Sequence, residues 1–226
     1  MNRMIDPRKF SRCANSMRKF FLERNYVEVH TQNLRSILAA CEDPSTIATY
    51  QYSGEVWPLP QTGQMHLENV LLDKPDYEGV FCLSTSYRNE PNPVPGRHDL
   101  IFPMFEFESK GTVKDLQAMQ IDLLDHLGFD KTDGSYPEGD YLDICKKYDA
   151  DELDNGHELQ LEKDYGSVFF LKQFPFYTSP FWNMKSDFTT KQSNKIDVIL
   201  HGIETIGSAE RSCDRDEMRE MFYTIS

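Results

Sequence analysis

Near the start of the chain Phe10, Cys13, Met17 and Phe20 recur at spacings of 3, 4 and 3, which is one face of a helix. The pattern predicts a helix over residues 4–23. Asn25 stands where a helix stop is expected, and Tyr26-Val27-Glu28-Val29-His30 then alternates as a strand does. No regular period follows until about Ser53. A short apolar strand is predicted over 55–59, beside Pro58 and Pro60. A helix is predicted over 64–72, on Met65, Leu67, Leu71 and Leu72. Residues 79–87 and 100–107 read as two strands around a loop that holds Pro91, Pro93, Pro95 and Gly96. Helices over 113–127 and 141–148 come next. Strands are predicted at 168–171, 181–184, 196–200 and 203–206, then a last helix over 214–222 with Asp214 as its N-cap. Hairpins interrupted by helices predict an α+β fold, a mostly antiparallel sheet flanked by helices.

Composition narrows the class. With 226 residues, 39% of them hydrophobic, the chain is long enough for a sizeable core and is read as one domain over 1–226. The start of the chain carries no apolar signal-type run, and the five cysteines are scattered without a C-x-x-C pair. Both point to a reducing, cytoplasmic setting. The net charge of −13 argues against a free-standing nucleic-acid binder. It leaves room for a local cluster of arginines around a polyphosphate. There is no P-loop, no G-x-G-x-x-G and no G-x-S-x-G. A nucleotide site in this chain must therefore be built from side chains on a sheet.

The hairpin over 79–107 is where such chemistry concentrates. Arg88 ends the first strand and Arg97 with His98 lies in the loop, so two guanidinium groups can grip different phosphates of one polyphosphate. Glu90 is an acceptor for an exocyclic amine, and Phe102 offers a ring on which a base can stack. Spacing alone leaves open a plainer reading, a hairpin with solvated charges and a core phenylalanine.

Arg88-Asn89-Glu90, then Arg97-His98, then Phe102 and Glu106 resemble motif 2 of the class II aminoacyl-tRNA synthetases, in the aspartate, asparagine and lysine subgroup. The resemblance implies that Arg88 binds the α-phosphate and the amino-acid carboxylate. It implies that Glu90 reads the adenine amino group, that Arg97 and His98 meet the outer phosphates, and that Phe102 stacks on adenine. Ile101 stands where the family usually has an acid. Residues 20–31 resemble motif 1, the dimer-forming helix and strand, with Gln32 in place of the family's proline. Cys41-Glu42 resembles the segment whose glutamate holds the substrate α-amino group, with Asp43 in place of a glycine. Residues 59–68 are similar to the asparaginyl form, in which Gln64 and Glu68 face the amino acid; the aspartyl form has a lysine at the place of Leu67. Glu68 would repel an aspartate side chain and can accept from an asparagine carboxamide. Residues 197–212 resemble the strand pair before motif 3, which makes Glu204 the magnesium ligand near ATP and Arg211 the partner of the amino-acid side chain. Asp197 is a second metal candidate and otherwise a strand-start residue; Glu210 can pair with Arg211.

The resemblance thus implies a ligase of protein biosynthesis. It would use ATP and Mg2+, favour asparagine over aspartate, act as a cytoplasmic homodimer, and take tRNA as a possible acceptor. Two alternatives stay open: an asparagine synthetase-like enzyme passing aspartyl adenylate to ammonia, and a non-catalytic ligand-binding relative. An anticodon-binding domain and motif 3 would lie outside residues 1–226. The chain is therefore expected to be a C-terminally short catalytic domain that binds ATP weakly as it stands.

Overall fold

The computed structural model describes residues 5–31 and 39–225, with the side chain of Ile225 left aside. Gln32 lies outside the described residues. Contacts divide the chain into two compact units, residues 1–110 and 111–226. The architecture is α+β, with mostly antiparallel pairing in both units.

The first unit begins with α1, Pro7–Leu22. Asp6 caps it by accepting from the amides of Arg8 and Lys9, and Pro7 occupies the first turn, where its missing N–H costs nothing. The helix ends at Leu22 with Glu23 as its C-cap, and the chain turns away through Asn25, whose φ of 61° is left-handed. Burial differs from the predicted stripe. Ala14, Phe20 and Phe21 are buried, while Phe10 and Cys13 are exposed. Burial of α1 is thus concentrated in its second half. There Phe21 stacks on Phe81 and Phe105, each at 5.5 Å between centroids.

Strand β1 is only Val27–Glu28 and runs parallel to β4, Gly79–Tyr87. Strand β4 pairs antiparallel with β5, Ile101–Ser109, as the hairpin reading predicts. Between them lie β2 (Thr49–Tyr52), β3 (Glu55–Pro58) and α2 (Gln64–Asp73). Strand β2 escapes a periodicity search. Its partner is fixed by the two-residue turn Ser53-Gly54, both left-handed, at φ 54° and 83°.

In the second unit, β6 (Glu138–Asp140), β7 (Val168–Pro175), β8 (Ser186–Asp187), β9 (Gln192–Leu200) and β10 (Ile203–Ala209) form one sheet. The order is β10-β9-β7-β6, with β8 against β9. Alternation along β7 and β9 feeds two cores. Phe170, Ile196 and Val198 pack with Leu124 of α3, Val113–Leu127. Phe169, Leu171 and Ile199 pack with residues of α4 (Tyr141–Tyr148) and α5 (Asn155–Tyr165). Helix α6, Arg215–Ile225, starts at Asp214, which accepts from the amides of Asp216 and Glu217 as its predicted capping role requires.

Two expectations are corrected here. Residues 181–184 are not a strand. Met184 donates its amide to Phe181 O in a turn and makes a single bridge to Arg211, so the ladder begins two residues later in β8. Asp197 is not a strand-start residue either: it lies inside β9, 3% exposed. Among the described residues no helix is long and apolar enough to cross a membrane.

Candidate active site

The β4–β5 ladder closes with Tyr87 opposite Ile101, and the Arg88 amide donates to Leu100 O at 2.8 Å. Arg88 and Phe102 therefore come side by side where the hairpin opens. The Arg88 guanidinium carbon lies 5.9 Å from the centroid of the Phe102 ring, and Arg88 Nε donates to Ser86 Oγ at 3.4 Å. The loop folds back in a single turn, with the amides of Arg97 and His98 both donating to Val94 O around left-handed Gly96. That turn returns His98 to Glu90, Nδ1 to Oε2 at 3.0 Å. Four of the predicted nucleotide residues, Arg88, Glu90, His98 and Phe102, thus meet at one end of one hairpin, with Arg97 beside His98. The Asn89 amide donates to Thr46 O, which ties this end to the short helical turn Pro44–Thr46. Asp43 caps that turn. The hydroxyl and amide of Ser45 hold its carboxyl below the ordinary range, and Arg88 adds a smaller pull.

The predicted amino-acid residues of the first unit also converge. Glu42 is buried and accepts from the amides of Ala39 and Gln61, at 2.6 and 2.7 Å. Oε1 clips the Cys41-Glu42-Asp43 segment to the entry of α2, while Oε2 closes a turn on Ala39. Gln64 is buried too; it accepts from Cys41 Sγ and donates to Glu108 Oε1 at 3.0 Å. Glu68 lies one turn further along α2, on the same face as Gln64.

Glu106 is the organiser that spacing alone did not single out. It accepts from the Thr62 hydroxyl, from the Gly63 amide at 2.7 Å and from Ser84 Oγ at 2.6 Å. One carboxylate on β5 thereby pins the N-terminus of α2 to the sheet, where helix amides lack partners of their own. Burial, then the nearby Glu106 carboxylate, pushes the Cys82 thiol well up, so this cysteine is an inert part of the core.

In the second unit Glu204 and Arg211 lie on and just after β10. Arg211 Nη1 donates to Asn183 Oδ1 at 3.1 Å. Glu210 gives its carboxylate to the Val113 amide and to Asn194 Nδ2, an anchor for α3 in place of the expected pairing with Arg211. Glu204 is exposed, and its amide donates to Glu158 Oε2 at 2.9 Å. Across the ladder, Asp197 faces Gly207. Asp197 Oδ2 accepts from Lys195 Nζ, while Oδ1 is buried without a protein partner. Burial, opposed by Lys195 and reinforced by Glu204, pushes this carboxyl up to about 7.

Among the described residues no group of three or more metal-ligating side chains is gathered. The Asp197–Glu204 pair is nevertheless a fit for a divalent cation. An orphaned carboxylate oxygen beside a second carboxylate is the environment that a hard cation relieves. A clue is present in the sequence: an acid in the middle of the apolar run Ile196-Asp197-Val198-Ile199.

The chain is similar to known proteins over nearly its whole length. A family model described as tRNA synthetases class II (D, K and N) matches residues 4–226. The aspartate–tRNA(Asp) ligase of Pyrobaculum aerophilum is 23% identical over 241 residues, covering 93% of this chain and 53% of that protein. The asparaginyl-tRNA synthetase of Pyrococcus horikoshii, solved with asparaginyl-adenylate, superposes with a TM-score of 0.80 at 20% identity. That superposition covers 94% of this chain and 55% of the other. The Entamoeba histolytica asparaginyl-tRNA synthetase gives 0.79 at 18% identity, covering 95% and 55%. The chain spans about half the length of these relatives. With a family match running nearly end to end over the hairpin and strand pair described above, this chain belongs to the class II tRNA synthetases of the aspartate, lysine and asparagine group.

Proposed function

We propose that this chain activates an amino acid with ATP, asparagine in preference to aspartate, and that tRNA then accepts the aminoacyl group. One observation carries the reading: Arg88 beside the Phe102 ring, with Glu90 and His98 drawn to the same end of the β4–β5 hairpin. An adenine ring can stack on Phe102 with its amino group donating to Glu90. Arg88 then lies where it can span the α-phosphate and the substrate carboxylate, and Arg97 and His98 serve the outer phosphates.

The reaction itself needs little covalent help. A carboxylate oxygen of the amino acid attacks the α-phosphorus, the bond to the bridging oxygen breaks, and pyrophosphate leaves with that electron pair. Arg88 acts by holding both reactants in line and by meeting the charge that grows on the α-phosphate oxygens. A bound magnesium ion would neutralise phosphate charge, and Glu204 with Asp197 would hold it. Glu42 and Gln64 are assigned to the amino-acid backbone, Glu68 and Arg211 to its side chain.

The preference for asparagine is supported by residues 67 and 68. Leu67 is fully buried against Val80 and Cys82, so no cation stands there to complement an aspartate. Glu68 supplies a negative charge that favours a neutral carboxamide. The family match runs through both units, which supports residues 1–226 as one catalytic domain. Exposed Leu22 and Val27, on the segment that resembles motif 1, support a homodimer. We place its work in cytoplasmic protein synthesis.

ATP–pyrophosphate exchange with single amino acids tests the reading. Magnesium-dependent exchange with asparagine well above that with aspartate is expected. Exchange with aspartate alone would replace asparagine by aspartate, and ATP binding without any exchange would leave a non-catalytic relative.

A further inference from the structure

Lys195 and Asp197 are two residues apart on β9 and so share one face of the strand. Asp197 is flanked in register by Leu171 of β7 and Gly207 of β10. The carboxylate is divided between two tasks. Oδ2 is taken by the Lys195 ammonium, and Oδ1 is buried without a protein partner. The ammonium is itself seated, 3.9 Å from the centroid of the Phe174 ring. Gly207 leaves open the space on the other side. A Cβ there would stand 3.7 Å from Asp197 Oδ1 and 2.9 Å from Glu204 Oε1. Both acids thus face the same bare stretch of backbone. Glu158 is engaged with the backbone, accepting from the Glu204 amide.

An aspartate has two soft torsions and can present either oxygen or neither. A ligand set of only two carboxylates needs them held before the ion arrives, and the groups that hold ligands tune affinity strongly. We propose that Lys195 is the positioning residue of a divalent-cation site formed by Asp197 and Glu204. Its ammonium, seated on Phe174, holds Oδ2 so that Oδ1 stays turned over Gly207 towards Glu204. The proposal rests on the reading of Glu204 as the magnesium ligand.

Manganese binding followed by electron paramagnetic resonance tests it, on the whole chain and in the absence of ATP. The wild type is expected to bind Mn2+, and Asp197→Asn to lose that binding. Lys195→Met should weaken the affinity about 10–100-fold, the range for groups that orient metal ligands. Lys195→Arg, which keeps the charge and the donors, should restore most of it. Circular dichroism and thermal unfolding identify variants that fail to fold, and Lys195→Gln decides by the same criterion if Lys195→Met is one of them. Unchanged or tighter Mn2+ binding by Lys195→Met would overturn the proposal, because the ammonium would then be a competitor of the ion. No Mn2+ binding by the wild type would instead overturn the reading of Glu204 itself.

Discussion

His98 Nδ1 lies 3.0 Å from Glu90 Oε2 across the turn of the motif 2 loop. The carboxylate assigned to the adenine amino group is therefore already held in place by its own loop. Glu90 can accept from an amine but has nothing to offer a carbonyl. Glu90→Gln adds a donor that suits the carbonyl of guanine. We expect this variant to bind ATP more weakly and GTP more tightly, narrowing the ratio of the two affinities by roughly tenfold, on the scale of one hydrogen bond to a charged group. Competition titrations with both nucleotides measure it. An unchanged ratio would remove Glu90 from base recognition.

Arg88 should matter for rate and little for folding. Its guanidinium has one long bond to Ser86 and a ring contact with Phe102. Arg88→Ala is expected to lower pyrophosphate exchange by about 10²-fold or more, as for loss of one donor to a developing charge. Thermal unfolding should stay close to that of the wild type. A fully active, normally stable Arg88→Ala protein contradicts the motif 2 assignment.

Gly63 is the residue where α2 meets the sheet most tightly. A Cβ there would stand 2.7 Å from Cys82 Sγ and 3.0 Å from Glu106 Oε2. Cys82 is fully buried, so it has nowhere to retreat. Gly63→Ala should cost about 1–3 kcal/mol, the usual penalty for overpacking. Chemical denaturation checks it, and a variant as stable as the wild type would mean that the helix start yields easily.

Glu217 ties α6 to the segment before it. It accepts from Lys185 Nζ at 2.8 Å, Ser212 Oγ at 2.6 Å and the Ser186 amide at 3.2 Å. Burial raises its carboxyl, but these donors outweigh burial and leave it below its ordinary value of 4.5. The unfolded form therefore binds a proton before the folded form does. The stabilisation is whole above about pH 5 and is lost as the pH falls through the lowered value. Glu217→Gln should lose about 1–2 kcal/mol at neutral pH, the scale of hydrogen bonds to a charged group, and less in acid. Melting curves at several pH values test this; a deficit that grows in acid would contradict it.

Elements with a sustained period were legible to within a residue or two. Helices α3 and α4 match their predicted ranges because each shows one face to a core, and strand β4 matches because its apolar start is buried on both faces. Helix α5 was not seen, since Leu161 is buried while Leu159 points outward at 47% exposure, leaving no stripe to detect. Strands β2 and β6 are short and owe their existence to partners, β3 and β7, that complete their hydrogen bonds. The run at 181–184 misled for the opposite reason: its apolar residues suit a strand, but the Met184 amide closes a turn on Phe181 O.

The chain by itself determined the hairpin and which residues it brings together. Arg88, Glu90, Arg97, His98 and Phe102 lie close in sequence, and the strand pairing that unites them is local. What tertiary structure decided is which acids are spent on architecture and which remain available for chemistry. Glu106 and Glu210 are bound to backbone amides and side chains of other segments. Asp197 keeps a buried oxygen without a partner. In sequence only the apolar run around Asp197 sets it apart, and nothing there tells a bonded oxygen from an orphaned one. Their difference lies in which donors the folded backbone brings within hydrogen-bonding distance, and in how much water it removes. The donors come from segments distant along the chain, so they are no property of the residue itself.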